Sequence, residues 1–599
     1  MSEHQKQTIL RFALIFFGIL AMFGAVVVKI VYIQTVEREA WEQRSQQNRV
    51  NITRPIPAIR GNIYDANMQL LASSIPQFSI HMDTRVEALH LGGDTLFWQY
   101  VDTLANGFSR IIGDKSATEY RNVMVSAFRG QTKRDIRLTY KRISYTQRKA
   151  IEQLPLVSRG VYKSGVYFVD LNRRSKPFGS LGSRTIGTIY GESGKGTAGL
   201  EKHFDDYLRG KDGLSSRQRV AGHWEYLPLR EAENGADVYT TLDAHLLDVC
   251  ESSLRKQLHK TRGDWGCVVL MEVKTGEIKA LCNLDLDPSI GDYVEKENHA
   301  VTRVEPGSTF KTIALMAALD DNKVAIGDSI EVWRNGWQYH NSYHYDAHPA
   351  NTTYSVRDAL AISSNIALAQ IITRGYEGSA KKFIAKLERM GLSDSVDYMI
   401  PGAQQALLNI PNDTVTISKM SYGYSVEMSP MQMAMFYNGI ANGGKMISPL
   451  LVRKVCQGEK VLESYKTSVV CNRLCSSQTL ADIQDCLHDV VWDNEFGTAS
   501  VTPWKTPKAQ SKYVAIAGKT GTAQVFDGKY HSNRHRITFV GYFPEDNPQY
   551  TCICVINEPK GYYDSGMDCG TVVRTIAEKT MAYTGKRIIE GDSILLVSR

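Results

Sequence analysis

The sequence predicts an α+β protein: an N-terminal transmembrane helix, a mixed α/β region, and a C-terminal domain whose antiparallel sheet is flanked by helices. Three observations carry that reading. Residues 12–28 are an unbroken run of apolar residues and glycine. From Val238 onward, helical periodicity and short apolar strand patterns follow one another in the order helix, strand pair, helices, three strands, helix. At 599 residues the chain is also too long for one hydrophobic core.

The apolar run continues past Lys29 through residues 30–33, which makes it long enough to cross a bilayer. Lys29 can snorkel to the headgroups, and Tyr32 and Trp41 fall where interfacial aromatics sit. The alternative is a cleaved signal peptide, but the run exceeds a typical apolar signal segment and lacks a small-x-small cleavage site. Residues 12–33 are therefore read as an uncleaved span and 1–11 as a cytoplasmic tail. Lys6 and Arg11 precede the span while Lys29, Arg38 and Arg44 follow it, so charge does not orient it.

Residues 34–235 are loop-rich and carry no nucleophile constellation. They contain Arg60-Gly61-Asn62-Ile63-Tyr64-Asp65 and a glycine-punctuated stretch over 179–199. The C-terminal domain, 236–599, opens with a strand at 238–241 and an amphipathic helix at 244–259 with Leu246, Leu247, Val249, Cys250 and Leu254 near one face. Strands at 267–273 and 277–281 flank Lys274-Thr275-Gly276, a hairpin signal. Pro306-Gly307 breaks the chain, and Ser308 opens a helix to about Leu319 that is apolar on every side and so belongs in the middle of the domain. Strand patterns at 514–525, 537–544 and 550–557 and a helix at 570–582 complete it.

The net charge of +7 is small for this length, and no basic run has interleaved aromatics, which excludes nucleic acid as an expected partner. All ten cysteines lie from Cys250 onward, without disulfide-framework spacing. Cys552 and Cys554 share a strand face and Cys267 and Cys282 sit at core strand positions, so buried free thiols are expected; Cys471 with Cys475 is the pair to test for a disulfide. His340, His344 and His348 recur every fourth residue around Asp346, but Pro349 and the polar and aromatic neighbours oppose the helix that would align them. Neither metal nor cofactor is expected.

The chemistry rests on three short words in one order: Ser308-Thr309-Phe310-Lys311, Ser363-Ser364-Asn365 and Lys519-Thr520-Gly521-Thr522. Three residues apart on a helix, Ser308 and Lys311 share a face. A serine becomes a good nucleophile only when a base takes its proton, and burial plus a second cation, Lys519, would keep Lys311 neutral for that task. Unpaired N–H groups at the helix start suit developing negative charge. Ser-x-x-Lys also occurs at Ser253 to Lys256 and Ser379 to Lys382, read as solvated helix faces, and Lys-Thr-Gly recurs at Lys274. Ser363-Ser364-Asn365 is the one Ser-x-Asn in the chain and would by itself be a helix cap or turn. Gly521, inside a strand pattern, lets a ligand backbone approach closely.

With Glu305-Pro306-Gly307 before the serine and Gly518 before the lysine, the triple resembles the penicillin-binding proteins. Arg60-Gly61-x-Ile63-x-Asp65, Gly199-Leu200-Glu201, Thr241-Leu242-Asp243, Tyr437 with Ala441-Asn442-Gly443-Gly444 and Pro449, and Phe539-Val540-Gly541-Tyr542 with Pro544 are similar to class B members. The likeness covers most of the chain and is weakest over 83–157 and after Gly585. It implies an elongated, non-catalytic pedestal of the dimerisation type over 34–235 and a transpeptidase domain over 236–599. It implies further that Ser308 is acylated, Lys311 is its base, Ser363 relays a proton to the leaving amine, and Asn365 binds the peptide stem. Lys519 would tune the field, Thr520, Gly521 and Thr522 would bind the terminal carboxylate of D-Ala-D-Ala, and the backbone N–H groups of Ser308 and Thr522 would form the oxyanion hole.

The expected activity is peptidoglycan D,D-transpeptidation with release of D-alanine, blocked by β-lactams, in a single-pass inner-membrane protein with its catalytic domain outside the cytoplasm. Glu305 before Pro-Gly-Ser resembles the division branch more than the elongation branch. The expected partners are stem peptides, a polytopic glycan polymerase of the shape, elongation, division and sporulation (SEDS) family, and division or elongation complex proteins. A β-lactamase and a non-catalytic β-lactam sensor or scaffold stay open as alternatives.

Overall fold

The structure, a computed structural model, describes residues 3–39, 41, 53–130, 135–191, 194–220, 223–408, 413–526, 531–585, 587–590 and 593–596. Arg44 lies outside the described residues. The N-terminal helix is Glu3–Thr35, and its segment Leu14–Thr35 is long and apolar enough to cross a membrane. Phe16, Phe17, Met22 and Phe23 on it are exposed.

The chain divides into two compact units, Met1–Ile59 with Gly210–Gly235, and Arg60–Arg209 with Ala236–Arg599. In the first, Thr53–Ile56, Gly213–Val220 and His223–Arg230 form a three-stranded antiparallel sheet with the second of these in the middle. In the second unit, Asp237–Thr240 pairs in parallel with Ile63–Tyr64 and antiparallel with Val452–Gln457, so one sheet joins residues on both sides of position 235.

A buried ion network fixes the segment before that sheet. Glu201, fully buried, accepts from Arg60 Nε at 2.7 Å and Arg174 Nε at 2.5 Å. Arg60 also donates to Asp205 at 2.6 Å and to the Glu201 carbonyl at 2.9 Å, while Arg174 reaches the Gly61 carbonyl at 2.7 Å. Buried charges persist only when paired and hydrogen-bonded in this way. Asp65 shapes the neighbouring turn: Oδ1 accepts from the N–H groups of Asn67 and Gln69, and Oδ2 accepts from Ala244 N at 3.2 Å.

The centre of the second unit is a six-stranded antiparallel sheet in the order Asp292–Val294, Ile278–Asp287, Trp265–Glu272, Tyr550–Asn557, His531–Phe543, Ala517–Phe526. Both faces are covered. Val269, Ile553 and Val555 pack under the helix Pro430–Ala441, in the same core that holds the central helix Phe310–Asp320, whereas Val268, Leu270, Cys552 and Cys554 pack under the helices Ala244–Thr261 and Thr571–Thr584. Burial on both faces explains why these strands read as near-continuous apolar runs, with alternate residues going to opposite layers. All ten cysteines are free thiols, nine of them buried and Cys471 half-buried. Every central-helix residue from Phe310 to Leu319 is buried, and truncating one of its large side chains to alanine would cost about 2–5 kcal/mol.

The strand His531–Phe543 begins six residues before the pattern at 537–544. Its polar start pairs with the far end of Ala517–Phe526, completing a long hairpin that apolar alternation does not reveal.

Candidate active site

Ser308 sits in a tight 3-10 turn, Gly307–Thr309, that runs into the central helix. The sequence placed the serine at the start of the helix proper; the extra turn arises because Gly307, at φ +57°, bends the chain against its neighbours. A Cβ on Gly307 would lie 2.9 Å from the Thr522 carbonyl oxygen, and one on Gly423 would lie 2.1 Å from the Gly307 oxygen. From beneath, the buried Tyr437 hydroxyl donates to the Thr309 carbonyl and meets Thr312 Oγ1, both at 2.9 Å. The result is a rigid turn with Ser308 half-exposed while Thr309 and Lys311 are buried.

Lys311 reaches across to the Ser-Ser-Asn word. Its Nζ donates to the Ser363 carbonyl at 2.5 Å and to Ser363 Oγ at 3.1 Å. Ser363 makes this possible by adopting φ +62°, a left-handed conformation that costs a non-glycine residue energy. Burial lowers the Lys311 ammonium to about 7, against the opposing pull of Asp346. Burial also holds Lys519 well below its usual range, and repulsion from Lys311 adds to it. Desolvation is thus the main cause that lowers both lysines, and repulsion between them acts in the same direction.

Asp346 holds the second word in place, a role the sequence reading missed. Its carboxylate accepts from Ser364 Oγ at 2.7 Å, Asn365 N at 2.5 Å and Ile366 N at 3.0 Å. Ser364 in turn caps the helix Asn365–Gly375 by accepting from Ala367 N, so Ser363 and Asn365 flank a doubly fixed helix start. Asn365 Nδ2 donates to the Tyr345 carbonyl at 2.7 Å. The supposed histidine cluster dissolves into different roles. His344 is buried, with Nδ1 2.9 Å from the Tyr422 hydroxyl and Nε2 3.3 Å from Ser418 Oγ, and burial lowers it to about 4. His340 and His348 are exposed, and no group of three or more possible metal ligands occurs among the described residues.

Lys519, Thr520, Gly521 and Thr522 lie on Ala517–Phe526, the edge of the sheet. A Cβ on Gly521 would meet Thr309 Cγ2 at 2.9 Å, so only glycine lets this strand lie against the serine turn. Lys519 Nζ donates to the Thr520 carbonyl at 3.1 Å and Oγ1 at 3.3 Å. The Gln524 N–H points off the sheet edge to the Tyr424 hydroxyl at 3.1 Å. Thr522, two residues earlier, presents its N–H on that same side of the strand, and its carbonyl lies against Gly307.

The repeated words separate cleanly from these. Ser253 is buried rather than solvated: the helix Ala244–Thr261 turns that face inward, the hydroxyl bonds back to the Val249 carbonyl at 2.7 Å, and Lys256 points to solvent. Ser379 precedes a helix and Lys382 is exposed. Lys274-Thr275-Gly276 turns between Trp265–Glu272 and Ile278–Asp287, with Gly276 at φ +74°.

Residues 266–581 match the model of the penicillin-binding protein transpeptidase domain, and residues 55–240 that of the penicillin-binding protein dimerisation domain. PenA of Neisseria meningitidis is 24% identical over 581 residues, covering 92% of this chain and 89% of the relative. Penicillin-binding protein PbpB of Mycolicibacterium smegmatis is 26% identical over 593 residues, covering 91% and 86%. The solved structure of penicillin-binding protein 2X from Streptococcus thermophilus superposes with a TM-score of 0.76 at 22% identity, covering 88% of this chain and 80% of that one, and shares the fold. The transpeptidase match alone takes in more than half of the sequence, and with the dimerisation domain ahead of it the chain belongs to the penicillin-binding protein transpeptidases, in their class B.

Proposed function

We propose that the protein cross-links peptidoglycan stem peptides through an acyl-enzyme on Ser308 and is blocked by β-lactams at the same residue. The observation that carries this reading is the convergence of buried Lys311 on Ser363 beside the Ser308 turn, with a sheet edge running past it. A neutral Lys311 takes the Ser308 proton as Oγ attacks the penultimate D-alanine carbonyl. The N–H groups of Ser308 and Thr522 receive the developing oxyanion. As the C–N bond breaks, a proton passes from Lys311 through Ser363 to the leaving amine, and D-alanine departs. An amino group of a second stem attacks the ester, forms the new amide, and returns a proton to Ser308. In a β-lactam the leaving amine stays tethered, which leaves a long-lived ester.

The edge strand suits an extended peptide, which would add to it by main-chain hydrogen bonds. Thr520 and Thr522 are read as the carboxylate site, Gly521 as the close approach, Lys519 as the positive field and Asn365 as the donor to the stem. Residues 1–11 are read as cytoplasmic, 12–33 as the span, 34–235 as the pedestal and 236–599 as the catalytic domain, outside the cytoplasm of the inner membrane. Glu305 supports the division branch, and the pedestal is read as the docking element for a polytopic SEDS-family glycan polymerase.

Labelling with fluorescent penicillin over hours is the test. Prompt, stable labelling is expected; rapid turnover would mark a β-lactamase, and no labelling a scaffold.

A further inference from the structure

Thr498 lies outside all three motifs, yet touches the flank of the second and a residue of the third. Its N–H donates to the Ala361 carbonyl at 3.4 Å, two residues before Ser363, and its hydroxyl lies 2.7 Å from Thr520 Oγ1 on the edge strand. The third anchor is Lys508, whose Nζ donates to the Thr498 carbonyl at 3.0 Å and to Asp564 at 2.8 Å. The site is built to exclude movement. A Cβ on Gly566 would lie 2.5 Å from the Thr498 carbonyl oxygen, and one on Gly497 would lie 2.4 Å from the Asp493 oxygen at the end of the helix Ser477–Trp492.

A hydroxyl has one proton to give and two lone pairs to fill. Thr520 Oγ1 already faces a donor in Lys519 Nζ at 3.3 Å. If Thr498 donates as well, both lone pairs of Thr520 are occupied and its single proton is left for a ligand. We propose that Thr498 is a positioning residue for carboxylate recognition: it fixes Thr520 as a hydrogen-bond donor and ties the edge strand to the helix Val356–Ala361 that leads to Ser363. This rests on the reading of Thr520 as part of the carboxylate site. The ligand class is any acyl donor with a carboxylate next to the scissile amide, a D-alanyl-D-alanine terminus or a penicillin alike.

The experiment uses the full-length protein in detergent, with acylation kinetics resolved into a binding constant and a limiting rate. The probes are benzylpenicillin and its methyl ester. Thr498→Val keeps the shape and removes the hydroxyl, so it should weaken benzylpenicillin binding about tenfold, the weight of one hydrogen bond to a charged group. The limiting rate should change less than about threefold. Thr498→Ser should recover most of the loss, and the methyl ester should barely distinguish Thr498→Val from wild type. An unchanged Thr498→Val protein, an equal loss with the ester, or a serine variant as poor as the valine one would overturn the proposal while leaving the transpeptidase reading intact. A wild-type protein that penicillin does not acylate would overturn both.

Discussion

The Lys311 ammonium donates to both the carbonyl and the hydroxyl of Ser363, at 2.5 and 3.1 Å, and Ser363 adopts a left-handed backbone conformation to accept it. The central helix and the turn that precedes the helix Asn365–Gly375 are thereby joined. Strain at Ser363 is held by the Asp346 and Ser364 contacts that follow it and by the Ser363 and Ser364 N–H groups, which donate back to the Leu360 and Ala359 carbonyls.

The first prediction concerns pH. Burial lowers the Lys311 ammonium to about 7, and the group works as a base only when neutral. Acylation should therefore rise with pH through about 7 and level off above it. Lys311→Ala should lose on the order of a hundredfold or more in acylation rate. The sign for stability follows from the same burial: the folded state binds fewer protons than the unfolded state between about 7 and the ordinary lysine range, so this group's contribution to stability rises with pH across that window. Lys311→Met, which removes the buried amine, should raise Tm by about 3 °C at pH 7 in a thermal melt.

Asp346 gives the second. Asp346→Asn keeps one acceptor oxygen but removes the negative charge that pulls the Lys311 ammonium upward. The limb of the acylation profile should shift to lower pH, and the plateau should fall about tenfold as the Ser363 turn loosens. A rate profile over pH 5–9 for both proteins reads both effects, and an upward shift would count against the assigned field.

The buried network at Glu201 gives the third. Glu201→Gln removes the charge that two arginines share, and breaking such a site should cost about 3 kcal/mol of stability. Denaturant unfolding measures the loss. Penicillin labelling of the folded fraction should persist, because Arg60, Arg174 and Glu201 lie outside the acyl-transfer machinery.

These residues differ in how visible they are from the sequence. Ser308, Lys311 and Lys519 announce themselves because each sits in a word whose residues are neighbours along the chain, and the central helix is legible because it is apolar on every side. Asp346 is not, since its bonds to Ser364 and Asn365 span 18 and 19 residues and no local pattern encodes them. Thr498 is hidden for the same reason, 22 residues from its partner Thr520. The burial of Ser253 is hidden in the sequence because a serine that bonds back to its own helix reads as polar although it faces the core. Likewise, the pairing of Asp237–Thr240 with Ile63–Tyr64 depends on a long return of the chain, which periodicity does not report.

A fourth prediction addresses the apolar helix. A protein beginning near Glu37 should keep penicillin acylation at the wild-type rate, because the site lies wholly within the second compact unit. It should lose most wall cross-linking in cells, where the anchor sets the local concentration at the membrane surface. Complementation of a depletion strain beside labelling of purified protein separates the two, and normal growth on the anchorless form would refute the role given to the helix.

The most direct test is peptide mapping of the penicillin-treated full-length protein by mass spectrometry. The mechanism predicts one penicilloyl ester, on the peptide containing Ser308, stable for hours and absent from Ser308→Ala. An adduct on Ser253, Ser363 or Ser379, or an ester that forms equally well without Ser308, would contradict it.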